Sequence, residues 1–263
     1  LTGTGYFGEM PEFEQLENPN TNLATQIISS DGEILGKYYF NDNRTPITYQ
    51  ELPTNLVNAL IATEDERFYS HPGIDVRSTI RAIVFLNRRG GASTISQQLA
   101  RQLFVGVRSR NFVQAILQKA KEWVLALQIE KRYTKNEIIA MYLNIYDFGN
   151  NADGVTSASK IYLNKTPDSL LIEDAAMLVG MLKNSSLYNP RRRPELVLER
   201  RNVVFQQMFR NEMISKIQLD SLTQLPLNID YSPESHREGL ATYFRAYLQE
   251  FMNQWLRDNT KED

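Results

Sequence analysis

Glu64 and Glu122 each fall within the apolar stripe of an amphipathic helical pattern, where a carboxylate is costly unless it has a task. Wound as a helix, residues 54–69 put Glu64 on one face with Val57, Leu60, Ile61 and Phe68. Residues 111–132 put Glu122 on one face with Ala115, Leu125, Ala126 and Ile129. Apolar surroundings raise the proton affinity of a carboxylate towards that of a general base, and a neighbouring cation lowers it again. A structural ion pair explains one such residue better than catalysis does. Two of them favour catalysis, and the first opens Glu64-Asp65-Glu66-Arg67-Phe68-Tyr69-Ser70-His71-Pro72-Gly73, a helix end running into a Pro-Gly turn. Both carboxylates are expected to open onto one groove ringed by cations.

One helix further on lies Gly90-Gly91-Ala92-Ser93-Thr94-Ile95-Ser96-Gln97-Gln98-Leu99-Ala100-Arg101. Glycines ahead of small hydroxyl residues at a helix start offer free backbone N–H groups and hydroxyls, which suit phosphate or sugar oxygens. Taken alone, an ordinary Ser/Thr helix cap is the commoner meaning.

Together these segments resemble the family 51 peptidoglycan glycosyltransferases, the glycan-polymerising domain of class A penicillin-binding proteins. The likeness spans about residues 50–215 in five ordered motifs. The first is Glu64-Asp65 with Phe68, His71 and Gly73; the second is Gly91 to Leu99; the third is Lys119 and Glu122 followed by Glu130, Lys135 and Glu137. The fourth holds Gly149, Gly154, Val155, Ala158 and Tyr162, and the fifth runs from Gly180 and Lys183 to Tyr188-Asn189-Pro190. Two positions depart from the family pattern: Arg101 stands where a lysine is usual, and Gln118 where an arginine is usual.

The resemblance implies a mainly α, lysozyme-like helical fold and the polymerisation of lipid II with inversion, a lipid-linked glycan strand being the donor. Glu64 would then be the base that takes the acceptor proton, as a carboxylate activates water in inverting glycosidases. Glu122 would serve the donor site, orienting the diphosphate through Mg²⁺, Mn²⁺ or neighbouring basic side chains. Arg101, Lys119 and Lys183 supply the fixed positive charge that a diphosphate leaving group needs. Asp65, Phe68, His71, Ser93, Thr94, Gln98 and Asn189 complete the expected substrate-binding set. For His71 a structural role is at least as good a reading, and Asp65 equally well caps or pairs. Two other readings compete: a lysozyme-like enzyme that cleaves peptidoglycan, and a silent glycan-binding scaffold.

The elements that must hold these groups are legible in the patterning. Helical periodicity predicts helices at 54–69, 75–87, 93–104, 111–132, 134–145, 154–162, 171–183 and 194–215, and a last one at 236–257. Two β-prone runs, 24–29 and 34–40, flank Ser30-Asp31-Gly32 and predict a hairpin. Leu225–Tyr231 reads as a strand that joins it, making a small β element from both flanks of the chain. The expected divisions are a lead-in with the hairpin at 1–48, following a membrane anchor outside the sequence; the glycosyltransferase domain at 49–215; and at 216–263 a linker towards a transpeptidase domain. Gly3-Thr4-Gly5-Tyr6-Phe7-Gly8 imitates a dinucleotide fingerprint, but no strand precedes it. Ser157 and Lys160 match Ser-x-x-Lys of penicillin-binding sites, yet Lys165-Thr166 is followed by Pro167 where glycine is required.

The 263 residues carry 29 basic and 31 acidic side chains, a balance that offers no global argument for nucleic acid. The charge is nonetheless uneven. Between Val76 and Arg110 there is no acid, while Arg77, Arg81, Arg88, Arg89, Arg101, Arg108 and Arg110 lie inside. Ile74, Val76, Ile80, Ile83, Val84, Phe85, Leu86, Leu103 and Phe104 accompany these arginines, so residues 74–105 read as a bilayer-contacting segment suited to anionic headgroups. The resemblance implies a location at the outer face of a bacterial cytoplasmic membrane. A second basic cluster, Arg191, Arg192, Arg193, Arg200 and Arg201, reads as solvated or structural. With no cysteine, disulfides and thiolate metal sites are excluded.

Overall fold

The computed structural model describes residues 25–32, 34–38, 44–84, 93–107, 109–233 and 242–259. The dinucleotide-like run at 3–8, the Gly90-Gly91-Ala92 opening of the second motif, and Phe85, Leu86, Arg88, Arg89 and Arg108 lie outside them. So do the side chains of Ile83 and Val84.

The hairpin forms as expected, with β1 (Thr25–Ile28) antiparallel to β2 (Ile34–Tyr38). Gly32, at φ 89°, donates its N–H to Ser29 O to close the turn. Only these two strands make the sheet among the described residues. Leu225–Tyr231 is extended but does not join it, which corrects the expected two-flank β element. Its apolar residues Leu227, Ile229 and Tyr231 pack instead on the helical core, and Ser232 N–H donates to Ile161 O.

The helices follow the apolar periodicity, and their ends follow capping chemistry. They are α1 (Thr54–Glu64), α2 (Val76–Val84), α3 (Ile95–Ala100), α4 (Phe112–Arg132), α5 (Lys135–Ile145), α6 (Gly154–Leu163), α7 (Ile172–Met181), α8 (Pro194–Arg210), α9 (Lys216–Gln224) and α10 (Thr242–Asn259). Thr94 caps α3, Asn111 caps α4, and Thr134 with Glu137 forms a reciprocal capping box on α5. Pro194 opens α8, where its missing N–H is no loss. The 54–69 pattern breaks at Asp65, whose φ of −159° ends α1 with Glu64 in its last turn. The 194–215 pattern breaks after Arg210, where Glu212 adopts φ 58°, and a new capping box at Ser215 and Gln218 starts α9. Past α3 the chain widens into one π-helical turn, Arg101–Val105, a feature often found at functional sites.

The core lies between these helices. α1 packs on α7 and α8, while α3 packs on α4 and α5, so the two glutamate-bearing helices meet the core from either side of α3. Residues 216–232, expected as linker, belong to this packing: Leu219 is buried and Leu222 lies against the core. Arg201 is buried and donates to Leu225 O at 2.6 Å and Pro226 O at 2.9 Å, fastening the extended segment to α8. Gly154 (φ 78°) is required where α6 begins, because a Cβ there would sit 2.5 Å from Asn144 O.

Candidate active site

Glu64 and Glu122 are positioned by consecutive residues of α3. Gln98 donates from Nε2 to Glu64 Oε2 at 2.9 Å, and its Oε1 accepts from the Tyr142 hydroxyl at 3.0 Å. That second bond fixes the amide, because a flipped Gln98 would set its oxygen against the carboxylate. Burial pushes the Tyr142 phenol well above the ordinary tyrosine range, and the Glu64 charge adds to this, so the hydroxyl stays a donor. Oε1 of Glu64 faces Arg200 Nη2 at 4.0 Å, beyond hydrogen-bond length. The Glu64 side chain keeps 14% of its surface exposed. One carboxylate oxygen is therefore pinned, and the other is available to accept a proton. Arg101 and Tyr146 lie in the same electrostatic neighbourhood.

Glu122 is different. Its side chain is 3% exposed, and Lys119 Nζ covers it at 2.8 Å while also donating to Ser93 Oγ at 2.9 Å and Gln97 Oε1 at 3.0 Å. The expectation that both carboxylates open onto a groove is corrected for Glu122: it reaches outward only through the ammonium it holds. Lys119 retains 24% exposure. The fixed cation at this carboxylate is thus a lysine. No group of three His, Asp or Glu side chains suited to a metal ion assembles among the described residues.

The remaining first-motif residues hold the two sites in place. Asp65 and His71 are both buried and meet at 3.0 Å, and Asp65 Oδ2 also accepts the Ile95 N–H at 3.1 Å. This anchors the start of α3 to the end of α1. Thr94 Oγ1 donates to Gly73 O at 2.6 Å, adding a second tie. Phe68 has no exposed surface and carries Lys135 Nζ at 4.3 Å over its ring, so it braces the motif from within the core. Lys135 also binds Glu130 at 2.7 Å and His71 O at 2.7 Å. A cavity of about 360 Å³ opens beside this motif, lined by Arg67, Ser70, His71, Pro72 and Arg77; Glu64 is not among its walls.

In the fifth motif Lys183 is exposed, with Nζ 6.0 Å from the Tyr188 ring. Asn189 is buried and its Oδ1 accepts from the N–H groups of Arg191 and Arg192, which makes it a turn former. The Gln118 departure has a local explanation: its amide accepts from Ser109 N–H at 2.7 Å and donates to Val107 O at 3.2 Å, tying the loop ahead of α4. Gln97, Tyr142 and Arg200 were absent from the sequence-derived site. A hydroxyl at Tyr142, in the stripe of Ile138 and Ile145, carried the same signal as the two glutamates.

The family described as Transglycosylase matches residues 31–209. The chain belongs to this family. Among curated relatives, penicillin-binding protein 1A of Escherichia coli is 35% identical over 250 residues, covering 94% of this chain and 28% of that protein. Penicillin-binding protein 1B of Haemophilus influenzae is 38% identical over 217 residues, covering 80% of this chain and 26% of that protein. This transglycosylase chain thus spans about a quarter of the length of the curated relatives it matches.

Proposed function

We propose that this chain is a peptidoglycan glycosyltransferase domain that polymerises lipid II into glycan strands. The acceptor 4-hydroxyl attacks the anomeric carbon of the lipid-linked strand; a new C–O bond forms, the bond to the diphosphate oxygen breaks, and undecaprenyl diphosphate leaves. Attack from the opposite face inverts the anomeric centre. Glu64 takes the hydroxyl proton on Oε1, the oxygen not bonded to Gln98. The observation that carries the reading is this half-pinned, partly exposed carboxylate at the end of a buried helix.

Lys119 offers the fixed positive charge for the leaving diphosphate, with Arg101 on the following turn as a second cation. Glu122 acts through Lys119, holding the ammonium between Ser93 and Gln97. A peptidoglycan-cleaving enzyme has no comparable use for a cation held in three bonds beside its acid, which favours transfer over hydrolysis.

The substrate's polyprenyl tail stays in the bilayer, so the domain works at a membrane surface, the outer face of the bacterial cytoplasmic membrane. No helix among the described residues is long and apolar enough to cross one. Val76 and Ile80 on α2 and Phe112, Val113, Ile116 and Leu117 on the first turns of α4 are exposed, with Arg77, Arg81 and Arg110 nearby in sequence. Leu103 and Phe104, expected at the bilayer, are partly buried and pack against the core. In the full-length protein a transpeptidase domain is the expected covalent partner.

The test is Glu64→Gln. The variant should bind lipid II with little loss and make no glycan strands in a gel assay of polymerisation. Strand formation at the parental rate removes Glu64 as the base.

A further inference from the structure

We infer that Arg200 is a positioning residue for the reaction, setting the orientation of Glu64; this rests on the assignment of Glu64 as base. Arg200 belongs to a basic run that reads as solvated in sequence, yet its side chain is only 13% exposed. Three features steer it to Glu64. Its Nε donates to Gly180 O at 3.4 Å, its guanidinium lies 5.8 Å from the Tyr188 ring, and Nη2 ends 4.0 Å from Glu64 Oε1. Gly180 leaves the path open: a Cβ there would stand 3.1 Å from Arg200 Cγ, in the middle of the arginine's aliphatic stem.

The separation itself has chemical meaning. A guanidinium in bidentate contact would occupy the oxygen that must accept a proton and would lower its basicity steeply. At 4.0 Å it faces the carboxylate while leaving Oε1 unbonded among the described residues. The other titratable or charged groups around Glu64 are Tyr142 and Tyr146, from α5 and its C-cap, and Arg101 beyond α3. The phenols are pushed up by burial and stay neutral through the working range, so they contribute no titration there. The next residue, Arg201, is locked to Leu225 O and Pro226 O, which fixes the rotation of α8 and with it the direction of Arg200.

The kcat-against-KM split of polymerisation tests this. In Arg200→Gln kcat should fall about tenfold while KM for lipid II changes little, because the carboxylate loses the group that aims it. Arg200→Lys, which keeps the charge, should restore most of kcat, and Gly180→Ala, which crowds the stem, should reproduce part of the loss. If Arg200→Gln does not fold, the Lys and Gly180→Ala variants decide: a kcat lowered by crowding supports the inference, and one unmoved by it overturns the inference. An unchanged kcat in Arg200→Gln, with Glu64→Gln inactive, overturns the role of Arg200 and leaves the function standing. An active Glu64→Gln removes the base and this inference together.

Discussion

The Gln98 side-chain amide donates to Glu64 at 2.9 Å while the Tyr142 hydroxyl holds the same amide from behind at 3.0 Å. Tyr142→Phe removes that hold without changing the packing volume much. A buried carbonyl oxygen is then left unsatisfied, at a cost of about 1–3 kcal/mol. Urea denaturation should show that loss. Turnover should fall further than stability explains, because the amide can now turn its oxygen towards the carboxylate. Unchanged turnover would show that the amide needs no such support.

Lys119 and Glu122 should fail asymmetrically. Lys119→Met strands a carboxylate that is 3% exposed, and removing one partner of a fully buried pair costs about 3–5 kcal/mol. Because Lys119 keeps 24% exposure, about 2–3 kcal/mol is the expected loss. Adding Glu122→Gln should return most of the stability and none of the polymerisation. Recovery of activity in the double variant would rule out Lys119 as the leaving-group cation.

Acid should weaken the fold through Asp75. Burial pushes this carboxyl up, but hydrogen bonds from Arg67 and Ser78 and the Arg67 charge outweigh it and hold it at about 2. A carboxyl ordinarily titrates near 3.9 in an unfolded chain. Since the folded value is the lower one, its stabilisation is complete above about pH 4 and disappears as pH falls towards about 2. Asp75→Asn should flatten the stability profile in that window, and equal slopes for parent and variant would contradict the pairing.

Vesicle binding should depend on the start of α4. Phe112 is 77% exposed and Ile116 54%, so their replacement by serine should leave the melting temperature nearly unchanged. Co-sedimentation with vesicles containing anionic lipid should drop several-fold. Undiminished binding would move the bilayer contact elsewhere.

Periodicity made the helical architecture readable, because each buried face repeats at helical spacing. It also picked out Glu64 and Glu122, charged residues set in apolar stripes. The same signal was present at Arg201, four residues after Val197 and three before Val204, but its place in a basic run masked it. Leu225–Tyr231 misled because alternating apolar residues mark any extended segment with one buried side, whether a strand or a helix bundle covers it. What covers Glu122 was not legible. It depends on Ser93 and Gln97 arriving from α3 and its approach, a contact across more than twenty residues of chain.

The guanidinium of Arg201 has consequences for anyone trimming this protein. A fragment cut at residue 215, where the family likeness ends, would deprive it of both carbonyl acceptors and uncover the apolar surface on which Leu219 and Leu222 pack. The smallest self-sufficient piece should therefore run to about residue 232, and shorter ones should precipitate on expression however intact their catalytic groups.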